Sequence, residues 1–244
     1  MRSTGYTFGF AAAVCIACSL VVSSAASLLR DRQAENVRMD IQKNILSAVG
    51  LLPEGKVTPE ALKELYTSRI EERVVDAEGN AVPDEKASEL DPKTDAGLLP
   101  VFVRKDGNAI GAYAIPISGK GLWSTIYGYL ALKPDCVTVK GITFYQHGET
   151  PGLGGEIDKS WFTDNFKGKR IVDATGKLTS VEIIKGKVAD SAPAGRAIHC
   201  VDGISGATLT TKGVSTFIRT DLERYEGFFG KLRPKRKQPK RRKR

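Results

Sequence analysis

Asp202-Gly203-Ile204-Ser205-Gly206-Ala207-Thr208 runs straight into a helical pattern, and that junction decides how the chain is read. Behind it, Val214, Phe217, Ile218, Leu222 and Tyr225 recur at helical spacing and predict an amphipathic helix over 209–229. In the plain reading, Ser205-Gly206-Ala207-Thr208 is a turn that leads to an N-capping hydroxyl. The same residues leave Thr208 Oγ1 open to approach, because neither Gly206 nor Ala207 has a side chain large enough to block it. Thr208 then lies at or just before a helix N-terminus, where unpaired N–H groups and the positive dipole end suit a phosphate. Lys212, one turn on, adds charge there or is simply solvated.

Two further segments share this character. Residues 119–132 read GKGLWSTIYGYLAL, and 143–157 read TFYQHGETPGLGGEI. Gly148, Pro151, Gly152, Gly154 and Gly155 make the second an irregular loop. Glycine lets backbone approach a flat ligand closely, so that N–H and C=O groups can meet its edge. Trp123, Tyr127 and Leu153 are candidate apolar walls, with ordinary core packing as the competing role for the two aromatics. Glu149 and Thr150 are the polar candidates, although a Thr-Pro step followed by glycine is also plain turn chemistry. His147 and His199 are lone histidines without companion ligands, so neither a metal set nor a catalytic residue is assigned. No GxGxxG fingerprint stands between a strand and a helix, which speaks against a Rossmann NADH site.

As a set, Gly121-Leu122-Trp123-Ser124, the run Gly148-Glu149-Thr150-Pro151-Gly152-Leu153-Gly154-Gly155-Glu156 and the stretch ending at Thr208 carry a family resemblance. They resemble the C subunits of the bacterial sodium-translocating NADH:quinone reductases, a family of FMN-binding proteins related to the flavin-carrying member of the Rnf complex. The match is strongest over 119–229, and the N-terminal layout agrees. The resemblance implies FMN joined through its phosphate to Thr208, the last residue of Asp-x-x-Ser/Thr-Gly-Ala-Thr. It also implies a separate Mg-dependent flavin transferase that uses FAD as donor. That fits a threonine with no His or Cys partner to activate it, since the hydroxyl alone is a poor nucleophile. The expected FMN contacts are Ser205, Gly206, Ala207 and Lys212 beside Thr208, with Trp123, Glu149, Thr150, Gly152, Leu153 and Gly154 from the other two segments.

The function implied is electron transfer within a membrane complex that couples NADH oxidation and ubiquinone reduction to Na+ export. The other subunits of that complex are the implied partners, and NADH is handled by another chain. Two alternatives stay open: the flavin protein of an Rnf-type ferredoxin:NAD oxidoreductase, and a membrane-tethered binding module without cofactor whose Thr208 is only a cap. Gly121-Leu122-Trp123-Ser124 and the full 147–156 loop favour the quinone reductase.

The N-terminus bears on location. No charged residue occurs between Arg2 and Arg30, and 8–22 is mostly apolar, long enough for a transmembrane helix. A cleaved signal peptide is the competing reading, with Ser23-Ser24-Ala25-Ala26 as the cleavage region. The resemblance favours a retained anchor, and Leu28-Leu29 prolong the apolar run. Either reading carries the remainder across the inner membrane to the periplasmic side. Arg30, Arg32 and Arg38 would by charge alone favour the opposite topology.

The net charge of +9 comes from one place. Residues 231–244 hold ten basic and no acidic side chains, and the rest balances 27 basic against 28 acidic. The pI therefore gives no support to nucleic-acid binding, and 231–244 reads as a disordered tail. Such a tail can touch anionic lipid at roughly 1 kcal/mol per residue, meet an acidic partner surface, or stay solvated. Cys15 and Cys18 read as small packing residues of the apolar helix. Cys136 and Cys200 are able to pair in an oxidising compartment, although nothing in their spacing requires it.

The fold class expected is α+β: one N-terminal transmembrane helix, then a mainly antiparallel-sheet FMN-binding domain with surrounding helices. The segments are an anchor over 1–30, a helical stalk and variable part over 31–97, the FMN-binding domain over 98–230, and the tail. Thr58-Pro59-Glu60 opens a helix expected to reach Arg73, with Pro at its first position. Strands are expected at 99–103 and 109–117 as a hairpin around Lys105-Asp106-Gly107-Asn108, then at 127–132, 137–144 and 180–187, with a short helix over 161–166.

Overall fold

The computed structural model describes residues 3–53, 55–83, 85–87, 90 and 97–234. Most of the basic tail, and 91–96 of the polar stretch, lie outside the described residues. The chain divides into two units, Met1–Ile41 and Gln42–Arg244. In the first, helix α1 (Thr4–Ala48) holds an 18-residue window of mean hydropathy 2.2 that is not buried at all. Phe8, Phe10, Ile16, Leu20, Val21 and Val22 stand exposed along it. Its length and composition are those of a helix able to cross a membrane.

The second unit is an antiparallel meander wrapped by helices. The last turn of α1 belongs here, with Ile45, Leu46 and Ala48 buried. Helix α2 (Pro59–Arg69) starts as its sequence dictates, with Pro59 in the first turn and Thr58 Oγ1 accepting from Ala61 N–H at 3.3 Å. Then come β1 (Ile70–Val75), β2 (Leu99–Asp106), β3 (Ala109–Lys120), β4 (Thr125–Leu132) and β5 (Val139–Gln146), in sheet order β1-β2-β3-β4-β5.

Alternation along these strands sorts two faces. Val101, Val103, Tyr113, Ile115, Ile117, Ile126, Leu130 and Leu132 form one, and α5 (Thr208–Arg224) and α6 (Glu226–Leu232) cover it with Val214, Phe217, Ile218, Leu222, Phe228 and Phe229. Tyr129 lies on the other face, edge-on to Phe102 at 5.7 Å and stacked on Tyr145 at 5.6 Å.

Three expectations need correction. The helix from Pro59 ends at Arg69 rather than Arg73, because Ile70–Val75 pairs antiparallel with β2 as an edge strand. Of 180–187, only β6 (Glu182–Ile183) is a strand, and it runs parallel to β7 (Cys200–Val201). Ser180 at φ +65° and Gly186 at φ +83° bend the chain on either side of that pair. The terminal helix is two helices, with Tyr225 between them. The expected short helix is α3 (Ser160–Thr163) followed by a 3-10 turn, Asp164–Phe166, and α4 is Val188–Ser191.

Candidate functional site: three segments gathered at the head of the last helix

Helix α5 lies antiparallel to β3. Gly213 abuts Lys120 O, Phe217 packs on Gly119, and Asp221 accepts from Ser118 N–H at 2.9 Å. This direction delivers the N-terminus of α5 to the end of the sheet where β3 turns into β4. The turn itself is Gly121-Leu122-Trp123-Ser124, closed by Gly121 N–H donating to Ser124 O at 2.8 Å. Strand β5 ends beside it, with Gln146 across from Tyr127, so the glycine-rich loop that follows leaves the sheet at the same end. The three segments singled out in the sequence therefore meet.

Glu149 joins them. Its Oε1 accepts from Trp123 N–H at 3.0 Å and Ser124 N–H at 3.2 Å. Its Oε2 accepts from Leu122 N–H at 3.2 Å and from the Thr210 hydroxyl at 2.6 Å. The residue is buried. Burial alone would push its carboxyl up, but the Thr210 hydroxyl and the three N–H groups outweigh that and hold it below the usual carboxylate range. Ser124 Oγ adds a second tie, accepting from Gly148 N–H at 2.6 Å. Gly154 is buried in the angle between these groups: a Cβ there would stand 2.6 Å from Thr210 Oγ1 and 2.9 Å from Glu149 Oε2. Gly206, at φ +76°, makes the turn before the helix and lies under Leu153, whose Cδ2 would be 2.7 Å from an added Cβ.

Around this buried tie the hydroxyls differ. Thr210 is buried and bonded to Glu149. Thr211 is buried and donates to Ala207 O at 3.0 Å. Thr208 is exposed at the first helical position, and its hydroxyl makes no hydrogen bond among the described residues. The capping role is therefore not its own: Ala207 occupies the N-cap position, and no side chain caps the helix. The first-turn N–H groups lack intrahelical partners, as at any helix start. Ser205, Gly206 and Lys212 are exposed close to Thr208 in sequence, Thr150 and Gly152 are exposed in the glycine-rich loop, and Ala207 is buried.

Trp123 is 71% exposed, which excludes the core-packing role. Leu122, Leu153 and Leu209 are also exposed, so each of the three segments presents an apolar side chain to the outside. Tyr127 does not join them; it lies on the far face of the sheet, 6.4 Å from the Tyr145 ring. Glu149, expected as a contact for a ligand, has both oxygens hydrogen-bonded within the domain. Thr210, whose hydroxyl meets the Glu149 carboxylate, is the residue at this junction that sequence reasoning misses. Its one signal is that it repeats a threonine two residues beyond Thr208.

The histidines and cysteines have other tasks. His147 Nδ1 accepts from Glu149 N–H at 3.3 Å, with Nε2 3.6 Å from Asp158. His199 is buried, and its Nδ1 lies 2.6 Å from Arg170 O. Cys136 and Cys200 are buried free thiols rather than a disulfide, and burial pushes the Cys136 thiol up to about 12.

The domain is thus a five-stranded antiparallel meander with one long helix across it and three glycine-bearing segments gathered at the helix head. Residues 121–223 match the FMN-binding domain family, a range that opens at the β3–β4 turn and closes near the end of α5. The chain is 38% identical to the C subunit of the Na(+)-translocating NADH-quinone reductase of Pseudomonas aeruginosa, covering 95% of this chain and 97% of that protein. It is 40% identical to the same protein of Haemophilus ducreyi over 81% of each. The solved C subunit from Parabacteroides distasonis superposes with a TM-score of 0.72 at 33% identity, covering 82% of this chain and 96% of that one. NqrC of Shewanella oneidensis gives 0.68 at 29% identity, covering 80% and 97%. The chain belongs to the family of Na(+)-translocating NADH-quinone reductase C subunits, and is an oxidoreductase subunit with an FMN-binding domain.

Proposed function

We propose that this chain is the electron-transfer subunit that carries FMN as a phosphoester on Thr208, in a membrane complex coupling NADH oxidation and ubiquinone reduction to Na+ export. The observation that carries this reading is the contrast among three neighbouring threonines. Of the three, Thr208 alone is exposed, and among the described residues its hydroxyl makes no hydrogen bond, at a helix start with no side-chain cap. FMN, when bound, supplies the redox chemistry. The chain's own residues bind and orient it. First-turn N–H groups and Lys212 would hold the phosphate, exposed Leu122, Trp123, Leu153 and Leu209 would give apolar cover, and the glycine-rich loop would offer backbone groups.

Attachment is the work of a separate flavin transferase. Thr208 Oγ1 forms a bond to the FMN-side phosphorus of FAD, the pyrophosphate P–O bond breaks, AMP leaves, and the hydroxyl proton passes to a base of the transferase. Helix α1 serves as a single-pass anchor in the inner membrane, with the flavin domain on the periplasmic side and the other subunits of the complex as partners.

The chain is produced with the flavin transferase, denatured and run on a gel. In-gel flavin fluorescence at the mass of the chain is expected. A colourless chain under these conditions contradicts the proposal.

A further inference from the structure

Thr208, Thr210 and Thr211 crowd the first turn of α5, yet only one hydroxyl is available. Thr211 Oγ1 is turned back onto Ala207 O. Thr210 Oγ1 is turned inward onto a carboxylate 61 residues away in sequence, at 2.6 Å. That carboxylate holds the β3–β4 turn by three N–H groups at 3.0–3.2 Å. Helix α5 has no side-chain cap, so the Glu149–Thr210 bond is the side-chain tie that fixes its first turn against both loops.

We propose that Glu149 and Thr210 form a buried latch that sets the rotation of the first turn of α5, withholding Thr210 and presenting Thr208 Oγ1 as the acceptor for covalent modification. Both are positioning residues, since neither touches the reacting atoms. This inference rests on the phosphoester reading above and adds to it what selects one threonine of three. The chemistry of the latch is specific. All four partners of the Glu149 side chain are donors, so a carboxylate accepts from every one. An amide at this position turns an NH2 group toward N–H donors and loses at least one bond. Valine at 210 keeps the shape of threonine and removes the hydroxyl, whereas serine keeps the hydroxyl.

The test uses the full chain with purified flavin transferase, FAD and Mg2+, followed by mass spectrometry over time for wild type, Thr210→Val, Thr210→Ser and Glu149→Gln. Each variant is first checked for a native circular dichroism spectrum. Labelling of Thr210→Ser is expected within about twofold of wild type. Thr210→Val is expected at least about tenfold slower, the scale of losing one hydrogen bond to a charged group. Glu149→Gln should be as slow or slower; if it does not fold, the two Thr210 variants decide. Amide exchange of 208–211, read without any flavin, should quicken in Thr210→Val and not in Thr210→Ser. Labelling of Thr210→Val at the wild-type rate, or equal slowing in both Thr210 variants, overturns the latch alone. A wild-type chain that stays unlabelled overturns the phosphoester reading, and this inference with it.

Discussion

The two ends of α5 are held in opposite ways. At the C-terminal end, Asp221 is buried and accepts from Ser118 N–H, and the Tyr225 hydroxyl donates to Pro100 O at 2.8 Å. Phe228 and Phe229 close on the Tyr113 ring at 5.7 and 6.5 Å. At the N-terminal end there is no side-chain cap, Thr208 and Leu209 face outward, and one carboxylate ties the turn to its surroundings. The far end is fixed by packed rings together with two hydrogen bonds made by buried side chains. The head is tied through a single carboxylate, with the Thr208 side chain left exposed. A helix anchored by its far end can leave its head open without fraying.

The sharpest way to break this comparison is Thr208→Ala. All covalent flavin is expected to vanish, with stability within about 0.5 kcal/mol of wild type because the side chain is exposed and unbonded. Fluorescence on a denaturing gel and a thermal melt read the two effects. Flavin retained on this variant moves the site elsewhere. Phe229→Ala tests the opposite end and should behave in reverse. Phe229 is fully buried, and truncation there costs about 3–5 kcal/mol. Urea unfolding should register that cost, while the molecules that remain folded still accept flavin at Thr208.

A smaller effect sits between the ends. Ser180 holds a left-handed backbone conformation and a buried hydroxyl with no partner among the described residues. It neighbours Thr179, whose carbonyl receives Arg219 of mid-α5 at 2.9 Å. Ser180→Gly removes the strain and the orphaned hydroxyl, and should raise stability by about 1 kcal/mol without affecting labelling. A lower melting temperature would contradict that account.

The smallest effect distinguishes the ends by sign. Glu149 is held below its ordinary value, so its contribution is complete above the unfolded-state value and is lost as pH falls through the folded one. Burial raises Asp221, which Ser118 N–H and Arg224 only partly offset. Its folded form is therefore favoured below the ordinary Asp value, and that advantage is lost as pH rises through the raised one. Acid should loosen the head of α5 and relieve its tail. Stability against pH should lose its acid slope in Glu149→Gln and its slope above the ordinary Asp value in Asp221→Asn. Identical curves for both variants and wild type would refute the assignment.

Much of the fold is legible in the sequence because it is encoded locally. The β2–β3 hairpin announces itself by alternation around Asp106-Gly107-Asn108, the start of α2 by Thr58-Pro59-Glu60, and the apolar stripe of α5 by its spacing. What the sequence hides is non-local. Ile70–Val75 follows a helix without a breaker and becomes a strand only because β2 offers it an edge. Trp123 is legible as part of a motif but not as 71% exposed, since burial depends on what neighbouring segments leave uncovered. Glu149 can be picked from its loop, but not its role. Its partners lie 25 to 27 residues upstream and 61 downstream, and three of them are backbone groups that carry no sequence signature.

The most direct test is the mass of the tryptic peptide 197–212 from chain matured alongside the flavin transferase. The account predicts an increment equal to FMN less water, with fragmentation placing it on Thr208. The unmodified mass for that peptide, or an increment placed on Thr210 or Thr211, would contradict it.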